Sequence, residues 1–261
     1  MDGYDATTYG RSFADVYDDW YHDVSDVEAT VAAVAARARV ASPAGTPRIL
    51  ELGAGTGRLA LPLAVAGLHV VGVDASPDML ARARAKAAAA GLDPDRLALV
   101  EADMAAPLPD GPFAVAFVAF NTLFNLTTAE AQARCFAHVA ERLGPGGAFA
   151  VEAFVPPDPV EPGPTPTRGD DDISLRDISL DRVVLTVARR DPAAQTITGQ
   201  HVEITEAGGV RLRPWLVRYA SPAELDAMAA HAGLALEARH ADWHGTPFDD
   251  ASAAHVSWYR R

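Results

Sequence analysis

A chain of 261 residues, 49% of them apolar, is long enough for one large domain and too ordinary in composition for a disordered or fibrous protein. Its formal net charge of −13 argues against a nucleic-acid partner, whose phosphates are met by clustered Lys and Arg, and its single cysteine, Cys135, excludes an internal disulfide and a cysteine-based zinc site. No apolar run approaches the ~20 residues of a membrane span, and the acidic start MDGYDATTYG lacks the plan of a secretory leader; the expectation is a cytoplasmic protein that acts on a small molecule, with no membrane partner.

In chain order, residues 14–39 read as a leading helix or helix pair with aromatic residues gathered at its start. From 48 to 154 short apolar runs alternate with helical patterns, the signature of βαβ units and a parallel sheet. The predicted strands are 48–52, 69–73, 97–101, 114–120 and 148–154; helices are predicted at 58–66, 76–90 and 129–143, the last closed by the turn signal GPGG. Cys135 sits on that helix as a small core residue. The Pro-rich, acidic stretch 155–172 continues neither a helix nor a central strand. Three alternating, β-branched segments follow at 182–190, 196–205 and 210–219 and read as an antiparallel meander. A helix with a Ser221/Glu224 start signal and two last strands, 234–240 and 255–260, can return to the main sheet. The domain reading is a helical lid over 1–47, a core over 48–154 and 220–261, and an insertion over 155–219.

The first strand ends in ELGAGTG, with Gly53, Gly55 and Gly57 at every second position. Glycine inside a strand or helix costs about 0.5–1 kcal/mol relative to alanine, so the pattern asks for a return. A strand that ends in glycines and opens a helix presents backbone N–H groups to a ligand, and the pattern fits a dinucleotide site, a nucleotide site or a tight turn. The dinucleotide fingerprint G-x-G-x-x-G is not met, since Arg58 stands at its last glycine. The second strand ends in VVGVDAS, placing Asp74 where a carboxylate accepts from ribose hydroxyls, or where it caps the helix that starts near Ser76. The third ends in EADM, where Asp103 and the backbone at Met104 suit the amine and ring nitrogens of adenine, or form a surface turn. All three lie at the carboxyl ends of adjacent strands, where open α/β sheets bind ligands.

In this constellation the chain resembles the class I S-adenosylmethionine-dependent methyltransferases, over 48–154 most clearly. The resemblance implies an α/β, Rossmann-like seven-stranded sheet with helices on both faces, an N-terminal helical lid and an antiparallel insertion after the fifth strand. It implies S-adenosylmethionine as cofactor, leaving as S-adenosylhomocysteine. Gly53, Ala54, Gly55 and Gly57 would approach its amino-acid and ribose parts; Glu51 would support its amine or an ordered water. Asp74 with Ala75 and Met79 would hold the ribose, and Ala102, Asp103 and Met104 the adenine. The opening SFADVYDDWY resembles the N-terminal helix of enzymes that methylate amino sugars and other natural products, in which Tyr17 would lie near the sulfonium and Tyr9 and Phe13 would complete the lid; the same aromatics also suit a plain anchor to the core.

Methyl transfer is a direct displacement, so alignment is most of what a protein supplies, worth about 7–11 kcal/mol when reactants are held at near-attack distance. The fourth strand leads into AFNTLFNL, which offers Asn121 and Asn125 where a metal-dependent enzyme would cluster carboxylates, so no metal is expected. Phe120 and Asn121 are placed by the cofactor, Phe124 and Asn125 by the acceptor; Asn125 departs from the histidine or tyrosine of amino-sugar enzymes. Candidate bases are Tyr17, His201 and His244. Glu152, Trp215 and Trp243 join the acceptor set. The cluster Arg211, Arg213 and Arg218 reads as an anion site or the solvated face of an alternating strand, the latter preferred. The expected activity is methyl transfer to an oxygen or nitrogen of a small molecule in secondary metabolism, with a non-methylating cyclase on the same fold as the alternative. The insertion reads as a substrate roof or as the surface of a homodimer.

Overall fold

The computed structural model describes residues 1–22, 24–42, 45–156 and 171–261. Its main sheet has seven strands in the order β10-β11-β5-β4-β1-β2-β3. β1 (Arg48–Leu52), β2 (His69–Asp74), β3 (Leu97–Glu101), β4 (Phe113–Val118) and β5 (Leu143–Phe154) are parallel, whereas β11 (Ala254–Arg260) runs antiparallel to β5 and β10 (Ala235–His240) antiparallel to β11. All six residues of β4 are buried, as a strand covered on both faces requires. On one face α3 (Val27–Ala41) and α4 (Ala60–Val65) pack Val34, Ala38, Leu59 and Leu63 onto Ile49, Val115 and Phe117. On the other, α6 (Ala129–Arg142) and α7 (Pro222–His231) place Phe136, Val139 and Leu225 on Leu50, Phe149 and Tyr259.

Helix starts follow their local chemistry. Ser76 caps α5 (Pro77–Ala89), Thr128 caps α6, and Ser221 with Glu224 forms a reciprocal capping box on α7. Cys135 is buried on α6, and burial pushes its thiol up to about 12. The GPGG expected to close α6 is instead the irregular start of β5, where Gly146 takes a positive φ of 72°.

The N-terminal region differs from a single long helix. It folds as α1 (Thr8–Phe13), α2 (Tyr17–Trp20) and then α3. The insertion is a four-stranded antiparallel sheet in the order β6-β7-β8-β9, with β7 (Arg182–Asp191), β8 (Thr196–Thr205) and β9 (Gly209–Arg218) near the predicted positions. The fourth strand, β6 (Asp171–Ile178), was not expected; its proline-rich approach obscured it. Most of the predicted loop, 157–170, lies outside the described residues. Among the described residues no helix is long and apolar enough to cross a membrane.

Candidate active site

The three glycines after β1 turn out to serve different ends. All have positive φ, 69° at Gly53, 56° at Gly55 and 82° at Gly57. A Cβ on Gly53 would overlap the Thr122 methyl, and one on Gly57 would overlap Leu61. Those two are required by packing. At Gly55 a Cβ would find no protein atom nearer than 4.0 Å, because it faces a cavity. Four donors of the turn are taken within the protein: the N–H groups of Gly53 and Ala54 donate to Val73 O, Gly55 N–H to Asp74 and Gly57 N–H to Ala54 O. At Gly55 the turn contributes room.

Asp74, at the end of β2, braces this turn. Its Oδ2 accepts from Gly55 N at 2.8 Å and its Oδ1 from Ser76 N at 2.8 Å. The cap of α5 is Ser76, so Asp74 is not a helix cap. Burial raises the Asp74 pKa, opposed by those two N–H groups. Glu51 lies beneath, 4% exposed, with Oε2 lacking any hydrogen-bond partner among the described residues. Burial and the nearby Asp74 charge push it up to about 8, with Arg58 pulling in the other direction. A buried carboxyl with an orphaned oxygen fits a cationic group on a ligand. Asp103 braces the next loop, accepting from Ala105 N at 2.8 Å.

Of these residues Gly53, Gly55, Asp74 and Asp103 line a cavity partly open to solvent, and Glu51 is not among its walls. Its walls bring together Gly53, Gly55, Asp74, Ala75, Met79, Ala102, Asp103, Met104 and Asn125 from the predicted set. Its roof is the N-terminal region, through Tyr9 of α1 and Tyr17 of α2. Phe13 is fully buried behind Tyr9, stacked on it at 4.4 Å, so it supports the roof rather than lining the space. Burial holds the Tyr17 phenol up to about 12 and Tyr9 well above its usual value, which keeps both protonated.

Other predicted residues fall elsewhere. Phe120 and Asn121 have positive φ, 48° and 62°, and form the tight turn after β4, with Asn121 Oδ1 accepting from Phe154 N. Glu152 clamps the same turn by accepting from Phe120 N at 2.7 Å. Phe124 is core, edge-on to Phe154. Trp243 belongs to the core on the far face of the sheet, packed on Trp258. His244 is exposed and holds Asp26, the cap of α3, at 3.1 Å. Ala54 is buried with its side chain under β2. His201 is buried on β8 against Phe13, Trp20 and Trp215 and bonded to Thr186. Burial and the cations Arg176 and Arg213 push it down to about 4, so it is neutral and a weak base. Trp215 packs beside Met79 and the lid aromatics, its ring lying over Gly199.

Two of the three arginines in the cluster are buried against protein partners, and only Arg211 is exposed. Arg213 is 1% exposed and bonds Asp15 at 2.6 Å and Glu203 at 2.9 Å, with Trp20 under its guanidinium. Arg211 reaches the same Asp15, and Arg218 is buried against Gln132 and Gln195. Three contributors were missed in the sequence. Gly10 lets α1 press on Ser76, where a Cβ would overlap that side chain; Thr122 lines the cavity; Asp18 ties the lid to Thr56 and Lys86. A glycine inside an aromatic helix start was the one legible hint.

Among the described residues no cluster of three His, Cys, Asp or Glu side chains could hold a metal. The cavity sets the carboxylates Asp74 and Asp103 opposite the rings of Tyr9 and Tyr17, an arrangement suited to a ligand that carries hydroxyl donors and positive charge.

Comparison with known proteins agrees. A methyltransferase domain model matches residues 49–147. The CcbJ methyltransferase from Streptomyces caelestis is 40% identical, superposes with a TM-score of 0.83 and covers 98% of this chain and 99% of its own. The cypemycin N-terminal methyltransferase from Streptomyces sp is 31% identical over 204 residues, 77% of each chain. The structure of S-adenosylmethionine-bound CalS10 from Micromonospora echinaspora, an amino pentose methyltransferase of calicheamicin biosynthesis, shares the fold at 24% identity, with a TM-score of 0.67 and coverage of 94% and 97%. A further match, 42% identical over 113 residues, spans about half of its relative's length, 48%.

Proposed function

This chain belongs to the S-adenosylmethionine-dependent methyltransferases, and we propose that it moves the methyl group of that cofactor to a nitrogen or oxygen of a small natural-product acceptor, an amine by preference. The observation that carries this reading is the single cavity joining Gly55, Asp74, Asp103 and Met104 to Tyr9, Tyr17 and Asn125. Bound there, the cofactor supplies an electrophilic methyl on a sulfonium. Asp74 keeps lone pairs beyond its two backbone bonds to accept from ribose hydroxyls. Asp103 and Met104 frame the adenine, and the orphaned oxygen of Glu51 meets the ammonium. Tyr9 and Tyr17 close the space and exclude water, with their ring faces toward positive charge.

The preference for an amine comes from proton chemistry. Among the described residues lining the cavity there is no histidine, and its phenols stay protonated. A hydroxyl acceptor needs a base positioned to take its proton; an amine exposes its lone pair by ordinary dissociation to solvent. Asn125 then serves to orient the acceptor.

The test pairs calorimetric titration of S-adenosylmethionine with transfer of a labelled methyl to matched amino and hydroxy sugars. Transfer to the amino member only, with a rate that rises with pH through the acceptor's own pKa, supports the reading. Transfer to the hydroxy member at equal rate overturns the amine preference. Cofactor binding without transfer to either, on a panel of natural-product amines and alcohols, favours the cyclase alternative.

A further inference from the structure

The inner face of the insertion sheet, the one turned to the lid, carries its ion pairs. Strand register aligns Val184, Glu203 and Arg211 in one transverse row of that face and Thr186, His201 and Arg213 in the next. β6 reaches the same face through an irregularity. Its pairing with β7 runs Leu175 to Leu185 and then Asp177 to Val184, so that Arg176 is one residue too many. An extra residue of this kind bends a strand and re-aims a side chain. Here Arg176 meets the lid: its guanidinium lies over the rings of Trp20 and Tyr21, at 5.0 and 4.8 Å, and donates to Trp20 O at 2.9 Å.

What Arg176 lacks is an anion. The arginines beside it are answered: Arg182 by Asp177 and Glu203, Arg213 by Asp15 and Glu203, and Arg211 by Asp15. Among the described residues no carboxylate oxygen lies within 4.0 Å of Arg176, in a chain with 35 Asp and Glu against 22 Lys and Arg. Arg176 is half-buried. With two rings against it the guanidinium is partly withdrawn from water, and its remaining N–H donors form a fork that matches a carboxylate. The same corner holds another unanswered donor. Trp215 Nε1 is buried without a hydrogen-bond partner among the described residues, and its ring is linked to Trp20 through His201. Position ties this corner to the cavity: the Tyr21 ring, under Arg176, lies 4.9 Å from the ring of Tyr17 and 6.1 Å from that of Phe120, and Tyr17 is a cavity wall. Arg176 stands one aromatic ring beyond that wall.

We propose that Arg176 is a specificity-determining residue that binds a carboxylate on the acceptor, so that the preferred substrate is an amine that also carries an acid. The proposal deepens the methyl-transfer reading of the cavity and rests on it. Arg176 supplies one positive charge, which suits a monoanion. The other arginine of this face without a carboxylate partner, Arg190, lies near the far end of β7 over Tyr219, so the two do not form a joint site for a larger anion such as a diphosphate. A chain of net charge −13 repels an anionic acceptor at long range, and a cation placed beside the cavity offsets this where docking occurs.

The test compares acids with their uncharged partners, so that any general loosening of the lid cancels within each variant. Calorimetric titration of the full chain saturated with S-adenosylhomocysteine uses phenylacetate against phenylacetamide. Labelled-methyl transfer uses phenylalanine against phenylalaninamide, and 2-amino-2-deoxyglucuronate against glucosamine. The expected preference for the acid is about tenfold or more, in binding and in kcat/KM, the scale of a charge-assisted hydrogen bond. Arg176→Gln should bring both ratios close to one, Arg176→Lys should keep part of the preference, and Arg190→Gln should leave the parent ratio in place. An acid bound no better than its amide by the parent chain overturns the proposal. A preference that survives Arg176→Gln, or is lost in Arg190→Gln, overturns it equally. Phenylacetate binding that depends on Arg176, with no transfer to any amine, supports the carboxylate site and overturns the methyl-transfer reading instead.

Discussion

The floor and the roof of the cavity are held in place by unlike forces. The floor is made of strand ends whose positions follow from a buried parallel sheet, and its glycines fit because Thr122 and Leu61 leave no space for a side chain. The roof is short helices, only six and four residues long in α1 and α2, too brief to be stable on their own. They are fastened by charge: Asp15 to Arg213 and Arg211, Asp18 to Lys86, and Arg176 over the rings of Trp20 and Tyr21. The floor is thus set by packing within the sheet, whereas the roof adds ion pairs to the packing of Phe13, Tyr21 and Met79. The insertion's inner face acts as the clasp.

The largest test of this contrast is Arg213→Met. It removes the buried arginine from Glu203, a mostly buried carboxylate that keeps only the longer contact to Arg182 at 3.6 Å, and from Asp15, which keeps the exposed Arg211 at 2.7 Å. Losing one member of a buried pair costs about 3–5 kcal/mol, and the exposure of Asp15 brings the expectation to the low end, about 3 kcal/mol. The melting temperature should fall and the apparent affinity for S-adenosylmethionine with it, since the roof is loosened. Unchanged cofactor affinity in the folded variant would show that the clasp holds the fold and not the roof. Asp74→Ala acts on the floor. It removes an acceptor from Gly55 and Ser76 and from the ribose, for a loss of cofactor binding of about 1–3 kcal/mol by calorimetry. Binding unchanged in this variant would remove the assigned pocket.

The same contrast explains what the sequence made legible. Each floor residue sits at the end of a strand whose apolar run and following helix can be read locally, so Asp74, Asp103 and Met104 were found with their neighbours. The clasp is non-local: Asp15 meets Arg213 across nearly the whole chain, and neither residue has a pattern of its own. His244 and Trp243 were drawn to the site by a local segment, but the fold sends one to a helix cap and the other to the far core. Phe124 and Asn125 differ by one step on a 3-10 turn, and only the coordinates show which one faces the cavity. For the insertion the sequence leaves a substrate roof and a homodimer surface both open, because alternation shows which residues share a face but not which face is covered.

His201 gives a smaller effect, on the clasp alone. Its pKa falls from 6.5 to about 4 on folding, so the unfolded chain binds the proton more tightly and stability is lost as pH drops through that window. The expected loss is about 2 kcal/mol between pH 7 and pH 5. His255, also held down to about 4 by burial, adds a similar share. His201→Gln should roughly halve the slope of melting temperature against pH over this range. A slope unaltered by that substitution would mean His201 is wetter than its packing against Phe13 and Trp20 requires.

Glu51 offers the mildest perturbation and the finest test of the floor. With its pKa raised from 4.5 to about 8, its carboxyl is mostly protonated in the folded chain at pH 7. The raised value means that burying it is cheapest below pH 4.5, and that the cost grows as pH rises toward 8. An ammonium placed at the orphaned Oε2 reverses the balance by favouring the carboxylate. Cofactor binding at pH 7 should therefore release close to one proton, measured as a dependence of calorimetric enthalpy on the ionisation enthalpy of the buffer. The release should fade by pH 9, where the group is already ionised, and vanish in Glu51→Gln at both pH values. Release that persists in Glu51→Gln would move the titrating group to another residue and leave the orphaned oxygen without its ammonium.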